Sequence, residues 1–190
     1  MSPLDADAAR TRLLDAAEEL FYARGIQSVG MDDIRAAAGL PLKRVYALYP
    51  AKEQLVEAYL QRRDLRWRGR LASGVEKVAD PHERILAVFD WLGSWFREPG
   101  FRGCAWINGF GELGGVSAVV AHQVRVHKQA FARYLDGLVA DAELSAELGS
   151  QLLLLAEGAM VTAGISGTDA PAAQARSAAE ALLRAARVAG

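Results

Sequence analysis

Four basic side chains, Arg35, Lys43, Arg44 and Lys52, fall within residues 34–52, a stretch with no acidic residue. Lysine neutralises phosphate as a point charge, and arginine can pair bidentately with the edge of guanine, so this set suits contact with a nucleic-acid duplex. The nearest acids, Asp32 and Asp33, stand at the expected start of a short helix, where the helix dipole favours negative charge. The patch is local. The chain of 190 residues carries 22 Lys+Arg against 23 Asp+Glu, a net charge of −1. That balance excludes a protein that coats nucleic acid by bulk charge but leaves room for a small basic surface.

The elements that must position these side chains are helices. Alternating β patterns are nearly absent, and apolar residues recur at helical spacing instead. Residues 32–38 and 42–48 read as two short helices split by Gly39, a glycine placed where a left-handed turn is needed. This is the build of a helix-turn-helix, with Ile34, Ala38, Val45 and Leu48 available to pack the pair onto a preceding helix stopped by Gly25. Lys43 and Arg44 stand at the beginning of the second short helix, the end that meets base edges in this motif. The alternative at this level is two core helices with a solvated basic face.

A long helix is expected over 51–78. The next begins at Asp80-Pro81-His82-Glu83, with Asp80 as cap and Pro81 in the first helical position. The last two helices are expected at about 143–165 and 171–188. The first is apolar almost all round and must be covered on most sides; the second is rich in alanine and lets another helix approach closely. Together they suggest a subunit interface, against the alternative that they close the monomer core. Arg62, Arg63, Arg66, Arg68 and Arg70 read as a solvated surface with local salt bridges. No stretch of about eighteen uninterrupted apolar residues appears, and no secretory signal is visible, so the expectation is a cytoplasmic protein without a membrane partner.

Nine aromatics between residues 67 and 131, among them Trp67, Phe89, Trp95 and Phe131, can line an apolar pocket or form ordinary core. Asn108, Glu112, His127 and Glu157 each sit in or beside an apolar stripe, where a polar group needs a partner that a ligand could supply. His127 is the sharpest of these, with a hydrogen-bonded core histidine as the alternative. Cys104, the single cysteine, excludes an intramolecular disulfide and a cysteine-built metal cluster. It lies near an expected helix start beside Arg102, the surroundings of a reactive thiol, or else is a small buried hydrophobe. The three histidines lack ligand spacing, so no metal or cofactor is expected. A catalyst using Cys104 with His127 and Glu112 or Glu157 is a competing reading, as is a helical interaction module. No glycine-rich phosphate loop or Gly-x-Ser-x-Gly supports an enzyme.

Gly25, the run Met31-Asp32-Asp33-Ile34-Arg35-Ala36-Ala37-Ala38-Gly39-Leu40, then Val45-Tyr46, then Tyr49-Pro50-Ala51-Lys52-Glu53-Gln54-Leu55 resemble the N-terminal domain of TetR/AcrR-type transcriptional regulators. The resemblance covers about fifty residues, from near Arg10 to Leu60. The remaining chain is similar to the family's second domain mainly in length and helix count. The resemblance implies an all-α chain of about nine helices. Residues 1–52 would form a three-helix DNA-binding domain with the helix-turn-helix, and residues 53–190 a helical effector-binding and dimerisation domain.

It further implies a homodimer, joined through the last two helices, on double-stranded operator DNA. The resemblance implies release on effector binding, and the expectation is a repressor whose effector, judged from the aromatic run, is small and largely apolar. Tyr46 and Lys52 match family positions that contact phosphate, and Lys43 and Arg44 match positions where base contacts occur. Tyr49 matches a packed aromatic. A few members sense electrophiles through a cysteine, which bears on Cys104. The chain departs from the family at Gly30 in place of a Ser or Thr cap, at Pro41-Leu42 in place of Ser-Lys, and at Leu48 in place of a common His.

Overall fold

The computed structural model describes residues 3–189. Among these the regular elements are nine helices and no strand: α1 (Pro3–Arg24), α2 (Met31–Ala38), α3 (Leu42–Leu48), α4 (Lys52–Val75), α5 (Pro81–Phe96), α6 (Ala105–Leu113), α7 (Ala118–Asp141), α8 (Glu147–Ser166) and α9 (Ala170–Ala189). The all-α reading of the sequence holds, and the two short helices fall where Gly39 and Pro50 divide the chain.

Local chemistry sets most of the boundaries. The Asp80 carboxylate accepts from the Glu83 amide at 2.9 Å, with Pro81 in the first turn of α5. Two ends differ from the expectation. α4 stops at Val75, short of 78, and α8 begins at Glu147 instead of near 143. The second shift has a visible cause: Glu143 adopts φ 56°, its amide donates to Ala140 and that of Leu144 to Val139. This is a Schellman closure of α7, and it uses the residues that would have started the next helix.

The chain forms two compact units. One comprises the residues up to Leu65 together with Ala105–Arg125, and the other Arg66–Cys104 with the residues from Val126 onward. In the first unit Leu13, Ala17, Phe21, Ile34, Val45, Leu55 and Tyr59 are buried, and the rings of Phe21 and Tyr59 meet at 5.6 Å. Each of the larger aliphatic and phenylalanine side chains contributes roughly 1.5–3 kcal/mol on burial. Arg62 and Arg63 depart from the solvated-surface reading. Arg62 binds Asp15 and Glu18 on α1, Arg63 binds Glu18, and the Arg63 guanidinium lies 3.9 Å from the centre of the Tyr22 ring. Both arginines are largely buried and clamp α4 to α1. Their helical spacing gave no hint of this, because the partners lie more than forty positions away.

In the second unit α5, α8 and α9 pack on one another, with Ile85, Phe89, Leu92, Leu152, Met160, Ala179 and Leu183 buried. Small residues set the close approach: a Cβ on Gly93 would stand 3.3 Å from the Ala172 methyl. α8 is covered less than its composition led us to expect. Leu152, Ala156, Ala159, Met160 and Ala163 are buried, while Leu154 is 73% and Ile165 82% exposed. By length and composition α8 could cross a membrane, yet one of its faces is packed within this unit, and its Glu157 pairs with Lys128.

Candidate functional site

The helix-turn-helix is built on a Schellman turn. Gly39 sits at φ 60°, ψ 39°; its amide donates to Ala36 and that of Leu40 to Arg35. Only glycine enters this left-handed region at little cost. The turn leaves the carbonyls of Ala38 and Gly39 without helical partners, and Arg12 of α1 takes both. Its Nη2 donates to Ala38 O at 2.6 Å and to Gly39 O at 3.0 Å. At the other end of α2, the Gly30 amide donates to the Asp33 carboxylate at 2.8 Å. That contact supplies half of a capping box where the sequence lacks a capping hydroxyl.

The recognition helix α3 is seated by Val45, which is fully buried. Lys43 and Tyr46 are exposed, Tyr46 at 45%. Arg44 is half-buried and donates to the Asp5 carbonyl of α1 at 3.0 Å, so it starts from an anchored position. Arg35 is partly exposed and pairs with Asp32 at 3.3 Å. Tyr49 is buried with the Arg10 guanidinium 5.2 Å from its ring centre, in keeping with a packed role.

Lys52, at the start of α4, donates to the Ile26 carbonyl at 2.6 Å. Burial lowers its pKa from the ordinary lysine value, and the carboxylates of Glu112 and Asp33 partly oppose that shift. A further contact ties α6 to the end of α1. The Gln27 amide donates to the Glu112 carboxylate at 2.8 Å, and the Gln27 side chain to the Glu112 carbonyl at 2.5 Å. Ser117 donates to Glu53 at 2.6 Å. Arg12, Gln27, Glu53 and Ser117 were not singled out by sequence, since each acts on a residue distant along the chain.

The effector candidates divide between the two units. Trp67, Phe89, Trp95, His127 and Phe131 lie buried in the second unit. Trp67 is the hub: its ring meets those of Trp95 at 5.6 Å, His127 at 5.3 Å and Phe131 at 5.2 Å, all near edge-to-face. Asn108 and Glu112 belong to the first unit instead. Asn108 is exposed, against its reading as a polar group in an apolar setting: it falls on the outer side of α6, where Trp106 and Gly109 turn inward.

Cys104 is buried, and Lys128 Nζ stands 3.3 Å from its sulfur while also pairing with Glu157. The preceding Gly103, at φ 78°, runs close against α8: its Cα would lie 3.0 Å from a Cβ on Gly164. Among the described residues, no group of three or more His, Cys, Asp or Glu side chains could hold a metal ion.

This fold and turn define a helix-turn-helix protein. The family model described as bacterial regulatory proteins, tetR family, matches residues 13–59. A TetR-family transcriptional regulator from Streptomyces coelicolor shares 30% identity at a TM-score of 0.85, over 95% of this chain and 96% of that one. A putative tetr-transcriptional regulator from Streptomyces avermitilis shares 26% identity at a TM-score of 0.77, over 90% of this chain and 98% of that one. An uncharacterized HTH-type transcriptional regulator of Mycobacterium tuberculosis is 35% identical over 86 residues, which is 45% of this chain and 43% of that protein. The match therefore spans less than half the length of this curated relative. The chain belongs to the TetR family of transcriptional regulators.

Proposed function

We propose that this TetR-family chain acts as a homodimeric repressor on a two-fold operator and is released by a small, largely apolar effector. The observation that carries the DNA-binding role is the recognition helix: α3 is held by the Gly39 turn and presents Lys43 and Tyr46 to solvent. Arg35, Lys43, Arg44, Tyr46 and Lys52 are the proposed DNA contacts, Lys43 and Arg44 at bases and Tyr46 and Lys52 at phosphate. Residues 1–52 form the proposed reading domain and residues 53–190 the effector and dimer domain, working in the cytoplasm.

The dimer reading is supported by α8. Leu154, Gly158, Val161 and Ile165 follow one another at helical spacing and are exposed. A second copy of α8 and α9 would bury them. The effector reading rests on the cluster around Trp67, with Phe89, Trp95, His127 and Phe131 as proposed contacts and Asn108, Glu112 and Glu157 as polar candidates. Cys104 is a proposed thiol sensor on the strength of its place 3.3 Å from the Lys128 ammonium. Alkylation with N-ethylmaleimide that leaves operator affinity unchanged would remove that role.

The test of the main reading is operator affinity across a salt series. Log affinity should fall linearly with log salt, with a slope near −0.9 for each neutralised phosphate. An affinity indifferent to salt would refute it.

A further inference from the structure

A solvent-open cleft of about 520 Å³ lies wholly within the first unit, between the end of α1, the start of α4 and the turn joining α6 to α7. Its volume is in the range of small-molecule sites, about 300–1,000 Å³. The walls are mostly apolar: Ile26, Val56 and Val120 are almost fully buried, and Leu113 and Val116 form the outer side. The polar groups on it are mostly committed. Gln27 is bonded to Glu112, and Glu53 accepts from Ser117.

Lys52 differs. An ammonium has three N–H donors. Among the described residues its hydrogen-bond acceptor is the Ile26 carbonyl, and the face of Phe21 lies 5.9 Å away. Two donors therefore stand without a protein acceptor on a cleft whose walls are mostly apolar. The charges around that ammonium select the ligand. Glu112 and Asp33 act on it electrostatically, and Glu53 is the next residue. Three carboxylates already outweigh one ammonium, so an acidic ligand would add to a negative surplus, whereas a protonated amine carries no lone pair to accept from Lys52. An uncharged acceptor meets neither penalty.

We infer that this cleft is a second small-molecule site, taking a neutral, largely apolar molecule that offers one carbonyl-type acceptor to Lys52. Its occupant would draw Lys52 away from operator phosphate and so weaken DNA binding. That consequence rests on the phosphate role proposed for Lys52, but binding in the cleft does not, so the two can fail separately.

The test uses the full chain and 6-propionyl-2-dimethylaminonaphthalene, a neutral naphthyl ketone whose emission moves to the blue in apolar surroundings. The expected result is saturable blue-shifted emission, with amide shifts at Gln27, Val116 and Ser117 in NMR titration. Affinity should fall at least fivefold in Val116→Trp, which fills the cleft from an exposed position, and in Lys52→Met, which keeps the apolar stem without the donor. The anionic 2-naphthoate should bind at least tenfold more weakly than the ketone. Absence of saturable binding would overturn the inference, as would parental affinity in either variant, amide shifts confined to the second unit, or tighter binding of 2-naphthoate. If the dye binds as described while operator affinity stays unchanged, the cleft stands and the phosphate role of Lys52 falls.

Discussion

Arg12 of α1 and Gly39 of the helix-turn-helix are joined by a hydrogen bond of 3.0 Å from Nη2 to the glycine carbonyl, and the same nitrogen holds Ala38 O at 2.6 Å. The contact closes the carbonyl end of α2, at the turn from which α3 leaves. Arg12→Ala should weaken operator binding about tenfold, the scale of a lost charge-assisted hydrogen bond at about 1.4 kcal/mol. Arg12→Lys, which keeps the charge but is shorter and places its ammonium differently from Nη2, should recover only part of it. Equal affinity of the Ala variant and the parent in gel-shift titration would show that the turn holds its angle without Arg12.

Lys43 and Arg44 are neighbours on α3 but begin from different positions, one exposed and one bonded to the Asp5 carbonyl. Arg44→Ala should relax discrimination at one base position per half-site, by about 1–3 kcal/mol. Binding-site selection on parent and variant reads this as a flattened column in the sequence logo. An unchanged logo would assign Arg44 to holding α3 against α1.

The exposed stripe on α8 predicts the assembly state. Leu154→Glu combined with Ile165→Glu would place two charges inside the proposed subunit contact, where burial is costly. Light scattering should report a dimer for the parent and a monomer for the double variant. Far-ultraviolet circular dichroism should be unchanged, because both side chains are exposed within the chain. Persistence of the dimer would move the interface elsewhere.

Asp169, beside the start of α9, receives a hydrogen bond from Arg97 at 2.8 Å, which holds its carboxyl below the ordinary value of 3.8. Its folded pKa is therefore depressed. The stabilisation is present above the ordinary value and is lost as pH falls through the folded one. Melting curves of the parent and Asp169→Asn should differ at pH 7 and converge as the pH drops below that carboxylate range. A gap that stays constant with pH would mean that the ion pair does not stabilise the fold.

The local grammar of the sequence carried much of this fold. Gly25, Gly39, Pro50 and Asp80-Pro81 punctuate the chain through backbone geometry and capping, which act over a few residues and are readable from one segment. The Schellman closure at Glu143 was not readable, because the same composition suits a helix start. Side-chain partners were the harder part. Nothing near Arg12 marks it as the partner of Gly39, and nothing near Arg62 and Arg63 marks Glu18. Such pairs depend on how helices pack, as does the division of Glu112 and His127 between two units. Aromatic spacing placed Trp67, Trp95 and Phe131 in one neighbourhood, but left open which ring lies at its centre.

In the proposed function, two copies of α3 read a symmetric duplex sequence. Selection from a random double-stranded library tests it most directly. The expected result is an enriched pseudo-palindrome whose half-sites are centred about 34–36 Å apart, or a multiple of that spacing. Enrichment should be lost when Lys43 and Arg44 are both replaced by alanine. A library that returns no enriched sequence, or one without two-fold symmetry, would contradict it.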